Sequence, residues 1–329
     1  MNYLIPRENS YSLNRKLVSI SSEDRDVKKW PNSNHFEVTL PDTITDIQSM
    51  FLSYTNIPIT FYTFLNSNKN TKFKFRYNGI DQTITIEEGF YDGLQLATEV
   101  QNKMNAAIGS VAITVKMNAV NNKLYFLSKN DTLQLLFNEE IQYDDLCDNT
   151  IDIWNKTTDW GLPYYLGFNK KVYTSVAEPK FKFTYTTDQE VSTNIINGDN
   201  PINMFRETNI YLEIEKYNSI DELSNINCNS NNLYNNHSYG KVNSFFAKIP
   251  INNVPYNLSV NNKNTDLDTL TSYHPPIEKI SKLKFKFRYH DGRLVDFGNH
   301  PFSFIIGFNC LLNEIPPSFN IRQPATLNY

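Results

Sequence analysis

His290, Asp291, Asp296 and His300 place two imidazoles and two carboxylates within eleven residues, the tightest grouping of metal-ligating side-chain types in the chain. Imidazole and carboxylate together suit a divalent transition metal. The local pattern argues against one. Asp291-Gly292 is a turn dipeptide, which leaves Asp296 and His300 in or beside loops. Cys147, Cys228 and Cys310 are odd in number, lie far apart and form no C-x-x-C pair. A thiolate zinc site and a disulfide scaffold are therefore disfavoured, and a reducing compartment fits. Glu139-Glu140 and Asp144-Asp145 belong to an acidic, loop-like stretch and read as solvated. Glycine-rich phosphate cradles, the H-E-x-x-H zinc motif and the G-x-S-x-G elbow are missing. The residues thus define no catalytic, cofactor-binding or metal site, and the chain is expected not to be an enzyme.

Two other patterns carry possible chemistry. Lys72, Lys74 and Arg76, and again Lys284, Lys286 and Arg288, alternate with Phe and Tyr, as on a single-strand nucleic-acid platform. The period of two reads better as the solvent side of two half-buried strands. With 31 basic and 35 acidic residues the net charge is −4, so no general basic field exists and no sequence-specific nucleic-acid partner is expected. Trp30, Trp154 and Trp160 are rings on which a sugar would stack, which keeps a carbohydrate- or receptor-binding β-sandwich module as the alternative.

The elements that must position these residues are mostly strands. His35 to Leu40 alternates, with Phe36, Val38 and Leu40 on one face, and Pro41 is expected to end that strand. Lys72 to Tyr77, then Asn78-Gly79, then Gln82 to Ile86 forms a hairpin signal, because Asn-Gly accepts the positive φ of a tight turn. Asp92-Gly93-Leu94-Gln95 has the form of a capping box. Leu96, Ala97, Val100, Met104, Ala107 and Ile108 then recur at helical spacing before Gly109, which predicts an amphipathic helix near 92–108. About fifteen short strands and this one helix predict a mainly β fold, an antiparallel sandwich of jelly-roll type, single or double. The expected organisation is a polar arm over 1–33, a sandwich with the helix over 34–192, and a second sandwich over 193–329. One jelly roll interrupted by an insertion at 66–190 is the alternative. The 45 Asn concentrate in loop-like stretches such as Asn225 to Asn236. No run of about 18 apolar residues predicts a transmembrane segment, and the N-terminus lacks an apolar signal core.

Ser22-Glu23-Asp24-Arg25-Asp26 with Trp30-Pro31, then Phe36 to Pro41 and Ile57-Pro58, resemble in that order the start of structural proteins of nucleocytoplasmic large DNA viruses. Thr85-Ile86-Glu87-Glu88-Gly89-Phe90-Tyr91 is similar to an "ipeGnY" pattern, and Leu166-Gly167-Phe168 to an "LGF". Tyr289-His290-Asp291-Gly292, Asp296-Phe297 and Phe304 are similar to a closing "DG…DF…hsF". The resemblance implies a minor capsid or penton-like virion protein of jelly-roll architecture in an icosahedral shell, assembled in the host cytoplasm. It implies the major capsid protein and other minor capsid proteins as partners, in a homo- or hetero-oligomer. It carries over no catalytic residue and no cofactor.

Overall fold

The computed structural model describes residues 11–60, 62–129, 131–143, 154–155, 158–183, 186, 190–204, 207–223, 242–251, 259–263, 270–290, 292–298 and 300–313. The chain is mainly antiparallel β, with sheets in a sandwich-like arrangement and few helices. It divides into two compact units, Met1–Thr60 with Glu207–Ser224 and Lys241–Tyr329, and Phe61–Arg206 with Asn225–Gly240.

The first unit opens with β1 (Tyr11–Ser21) and β2 (His35–Pro58). Residues 11–21, expected in a polar arm, are an extended strand whose two faces differ. Leu13 and Leu17 are exposed, whereas Ile20 on the alternate face is 3% exposed. β2 keeps the expected inward set, Phe36, Val38 and Leu40, yet it continues through Pro41 for 24 residues.

The second unit holds β3 (Lys72–Tyr77), β4 (Ile80–Thr85), α1 (Gly93–Ile108), β5 (Ile113–Met117), β6 (Leu124–Ser128) and β7 (Leu133–Leu136). It continues with α2 (Leu162–Tyr165), β8 (Val172–Thr174), β9 (Val176–Phe181) and β10 (Val191–Asn197). Asn78 and Gly79 take φ of 49° and 77°, which closes the β3–β4 hairpin as the dipeptide predicts. At α1, Gln95 N–H donates to Asp92 Oδ1 at 2.7 Å while Asp92 N–H donates to Gln95 Oε1 at 2.9 Å. Those bonds satisfy amides the helix cannot reach, and Gly109 ends it in the left-handed region. One four-stranded sheet runs β4-β3-β7-β8 and another β5-β6-β10-β9. Both sheets and the Leu96, Val100 and Met104 face of α1 line one core, centred on Phe73, Phe75, Phe126, Phe137 and Phe168. Each such ring, taken out of water, contributes roughly 1.5–3 kcal/mol. The boundary placed at 192/193 falls inside β10. Thr193 and Ile196 point inward there, so a segment that looks polar in sequence is a half-buried strand.

The first unit resumes with β11 (Asn209–Ile214), β12 (Ile220–Leu223), β13 (Val242–Phe245), β14 (Ala247–Pro250), β15 (Ser259–Lys263), β16 (Thr271–Arg288) and β17 (Ser303–Asn313). Its main sheet runs β1-β17-β2-β16-β11-β14, with β15 paired to β2, and β12 and β13 form a separate hairpin. Strands from the two ends of the chain thus lie side by side, and Phe61–Arg206 is nested between them in sequence. The register of β2 against β16 jumps between Thr39 and Ile44, so Pro41 sits in a bulge. A residue without an amide hydrogen is tolerated in such a place. Pro275 and Pro276 fall in a second irregularity of the same pair, between Ser272 and Ile277. The core of this unit is a ring cluster: Phe287 lies 4.9 Å from Phe302, Phe285 5.0 Å from Phe304, and Phe36 5.5 Å from Phe285, between centroids.

Candidate functional site

The motif residues occupy joints of the fold. Ser21 N–H donates to Asp24 Oδ2 at 2.8 Å, and Arg25 donates to Trp30 O at 3.1 Å and Pro31 O at 3.3 Å and bonds Ser22 O as well. Asp26 Oδ1 accepts from Lys28 N–H at 3.0 Å. Ser22 exchanges bonds with Phe302 at 2.8 and 3.0 Å. Residues 21–31 therefore tie the end of β1 to the start of β17. Gly89 exchanges two 3.0 Å backbone bonds with Phe64, and the Tyr91 hydroxyl donates to Glu87 O at 2.7 Å just before the α1 cap. Gly167 has φ +83°, and a Cβ there would collide with Asn200 O and stand 2.9 Å from Pro201 O. In the closing motif, Gly292 takes φ +90° and Asp296 Oδ1 accepts from Gly298 N–H at 2.8 Å.

The histidine grouping does not converge. His290 Nδ1 contacts Glu222, Asp296 caps its own turn, and His300 is exposed. Asp291, Asp144, Asp145, Cys147 and Cys228 lie outside the described residues. Among the described residues no three His, Cys, Asp or Glu side chains gather as metal ligands, and Cys310 is a buried free thiol.

The two Phe/Lys strands differ from the sequence expectation at one residue. Arg76 stays on the surface and pairs with Asp81. Arg288, expected on a solvent face, is 2% exposed. Its guanidinium bonds Glu213 of β11, reaches Glu222 of β12 at 2.7 Å, and donates to Tyr289 O at 3.1 Å. It also stacks over the Tyr211 ring at 5.1 Å. Burial works against its charge, but Glu213 and Glu222 outweigh it and hold its pKa above the ordinary arginine value. Burial, then the charge of Glu222, pushes the Tyr211 hydroxyl up to about 12. This is a structural ionic cluster that fastens β12 to β11 and β16.

Two surfaces remain as places where something else could bind. In the second unit a small half-open pocket of about 30 Å³ is lined by Trp154, Trp160, Tyr143, Phe73 and Phe137, with Lys69, Lys72, Lys74, Glu139 and Glu140 around it. Trp154 and Trp160, noted separately in the sequence, stand 5.7 Å apart at 87°. Trp30 lies elsewhere, in the first unit, 4.9 Å from His35. In the first unit, β1 is the outermost strand of its sheet and pairs with β17 through eleven residues without a bulge. Its outer face carries Leu13 at 60% and Leu17 at 55% exposure, on either side of Arg15, whose guanidinium stands 5.2 Å from the Phe51 ring. No described helix is long and apolar enough to cross a membrane.

No protein-family model matches the chain, and a search of curated proteins returns no relative. Solved structures similar to it include these two. One is the mavirus penton protein, with a TM-score of 0.43 and 11% identity over 91% of this chain and 99% of that chain. The other is a chain in the cryo-EM structure of the Sputnik virophage, with a TM-score of 0.43 and 11% identity over 90% of this chain and 98% of that chain. At this identity the likeness assigns no residue a role.

Proposed function

We propose that the chain is a structural virion protein, a minor capsid or penton-like component of the icosahedral shell of a large DNA virus. It acts by contact with the major capsid protein, other minor capsid proteins or further copies of itself, and is assembled in the host cytoplasm. Both units are read as jelly-roll-like. The observation that carries the reading is the outer edge of β1, which pairs with no second strand among the described residues. Soluble β proteins blunt a long outer strand with prolines, bulges or a covering element, since its unpaired amides and carbonyls are a template for another chain. β1 has eleven regular residues, no proline, and two exposed leucines. The motif joints support the same reading, because they hold a scaffold in shape and converge on no reacting atom. The test is mass spectrometry of virus particles purified from the chain's source. The protein is expected in the particles, at a constant ratio to the major capsid protein across the particle peak. Its absence from intact particles would end the proposal.

A further inference from the structure

We infer that β1 receives an extended segment of a partner chain as an added strand, and that this segment presents aliphatic, carboxylate and aliphatic side chains in alternation on one face. This names the partner of the edge read above as a contact surface, and it rests on that reading.

The backbone of the edge is open for pairing. Ser22 N–H donates to Phe302 O at 2.8 Å, next to the Ser21–Ser303 pair that begins an unbroken antiparallel register. Inward and outward bonding alternate along such a ladder, so even-numbered residues bond β17, and the N–H and C=O groups of Leu13, Arg15, Leu17 and Ser19 face outward. The Ser21 amide, on the same outward side, is capped by Asp24 Oδ2 at 2.8 Å. Among the described residues nothing takes the outward groups of Leu13 to Ser19. β9 is the contrast. It is the outer strand of its own sheet, and Pro179, Lys180 and a register break against β10 between Val191 and Thr193 oppose pairing there. β1 has neither a proline nor a break.

The side chains select the partner. The Phe51 ring lies against Gly307, where a Cβ would collide with it. The Arg15 guanidinium stands 5.2 Å from the centre of that ring, and its Nε donates to Asn309 Oδ1 at 3.3 Å, so the cation is held in place between Leu13 and Leu17. No carboxylate pairs with it among the described residues, whereas Lys16, on the other face, has Asp42 at 2.9 Å. β1 itself contains no acidic residue. A second copy paired antiparallel with Leu13 on Leu17 would set Arg15 on Arg15, and like charges directly opposite one another destabilise a ladder. A strand with a carboxylate opposite Arg15 and an aliphatic residue two positions away on either side makes the same register favourable.

The probe is a fluorescein-labelled peptide, Thr-Thr-Leu-Thr-Glu-Thr-Leu-Thr-Thr, titrated with the full chain and read by anisotropy. It should saturate with a Kd below about 0.5 mM. Lys in place of its Glu should weaken binding at least about fivefold, and Arg15→Glu should reverse that preference. Arg15 is exposed, so its replacement leaves folding intact. N-methylation of the peptide's Leu and Glu amides, which point at β1 in this pairing, should weaken binding at least about tenfold, and N-methylation of the intervening Thr amides should not. Weaker binding of the unmodified peptide, equal binding of the Glu and Lys peptides, or indifference to which amides are methylated would overturn the inference. So would a dimer of the full chain in sedimentation that Leu13→Glu with Leu17→Glu disperses, since a second copy would then cover the edge. Peptide binding is read on the isolated chain, so it stands or falls apart from the chain's presence in virus particles.

Discussion

The buried Arg288 cluster yields the most quantitative prediction. Glu222 and Arg288 side chains are 7% and 2% exposed and 2.7 Å apart, so neither charge is hydrated when its partner is removed. Breaking a buried pair costs about 3–5 kcal/mol, because an uncompensated charge is left in a low-dielectric setting. Arg288→Met strands Glu222, whose remaining partners among the described residues are His290 and Tyr211, and should cost about 3 kcal/mol. Glu222→Leu leaves Arg288 with Glu213, and the remaining pair should reduce the loss to about 2 kcal/mol. Combining the two removes both charges from the interior and fills the space with apolar atoms. The double variant should therefore be more stable than Arg288→Met alone, with a coupling of at least about 2 kcal/mol. The chain has three tryptophans. In a Trp154→Phe/Trp160→Phe background the remaining Trp30 reports the unit that holds Arg288. Urea unfolding followed at Trp30 should show Arg288→Met lowering the midpoint by about 1–1.5 M at an m-value near 2 kcal/mol/M. Additive losses in the double variant, or single losses under about 0.5 kcal/mol, would refute the buried-pair reasoning.

Three further outcomes follow from named contacts. Gly167→Ala combines a positive φ with a collision against Asn200 O, so it should cost at least about 2–3 kcal/mol and lower the melting temperature of the second unit by several degrees; an unchanged melt would contradict the joint described there. Burial, then Lys284 and Lys286, lowers the His35 pKa from 6.5. The unfolded chain then binds the proton more readily, so stability is full above about pH 6.5 and falls as pH drops through that value; His35→Gln should flatten the decline between pH 7 and 5 relative to wild type, and identical slopes would exclude the effect. Leu13→Glu with Leu17→Glu should leave the melt within about 1 kcal/mol of wild type, since both side chains are exposed, while reducing incorporation into particles at least fivefold; normal incorporation would remove β1 from the contact surface.

Local signals were legible and distant pairings were not. The α1 helix follows from Asp92, Gln95 and the three-and-four spacing up to Met104, and the β3–β4 hairpin from Asn78-Gly79, because each rests on residues close in sequence. β1 escapes such reading. Its residue Ile20 pairs with Phe304, 284 positions away, and its outer face mixes Leu13 and Leu17 with Arg15, so neither face looks like a core. Pro41 reads as a strand end, and only the register against β16 shows that it falls in a bulge. Arg288 looks like Arg76, since both follow Phe-Lys-Phe; one is buried because Glu213 and Glu222 come from 75 and 66 residues away to meet it. Trp154 and Trp160 are only six residues apart in sequence, but their edge-to-face contact at 5.7 Å depends on the fold of the second unit.

The central claim is that this β scaffold exists to touch neighbouring subunits. A cryo-EM map of the purified particle tests it most directly. It should show the chain within the shell, with the β1 edge and Leu13 and Leu17 covered by an adjacent subunit. A shell without the chain, or a β1 edge facing bulk solvent in every copy, would contradict it.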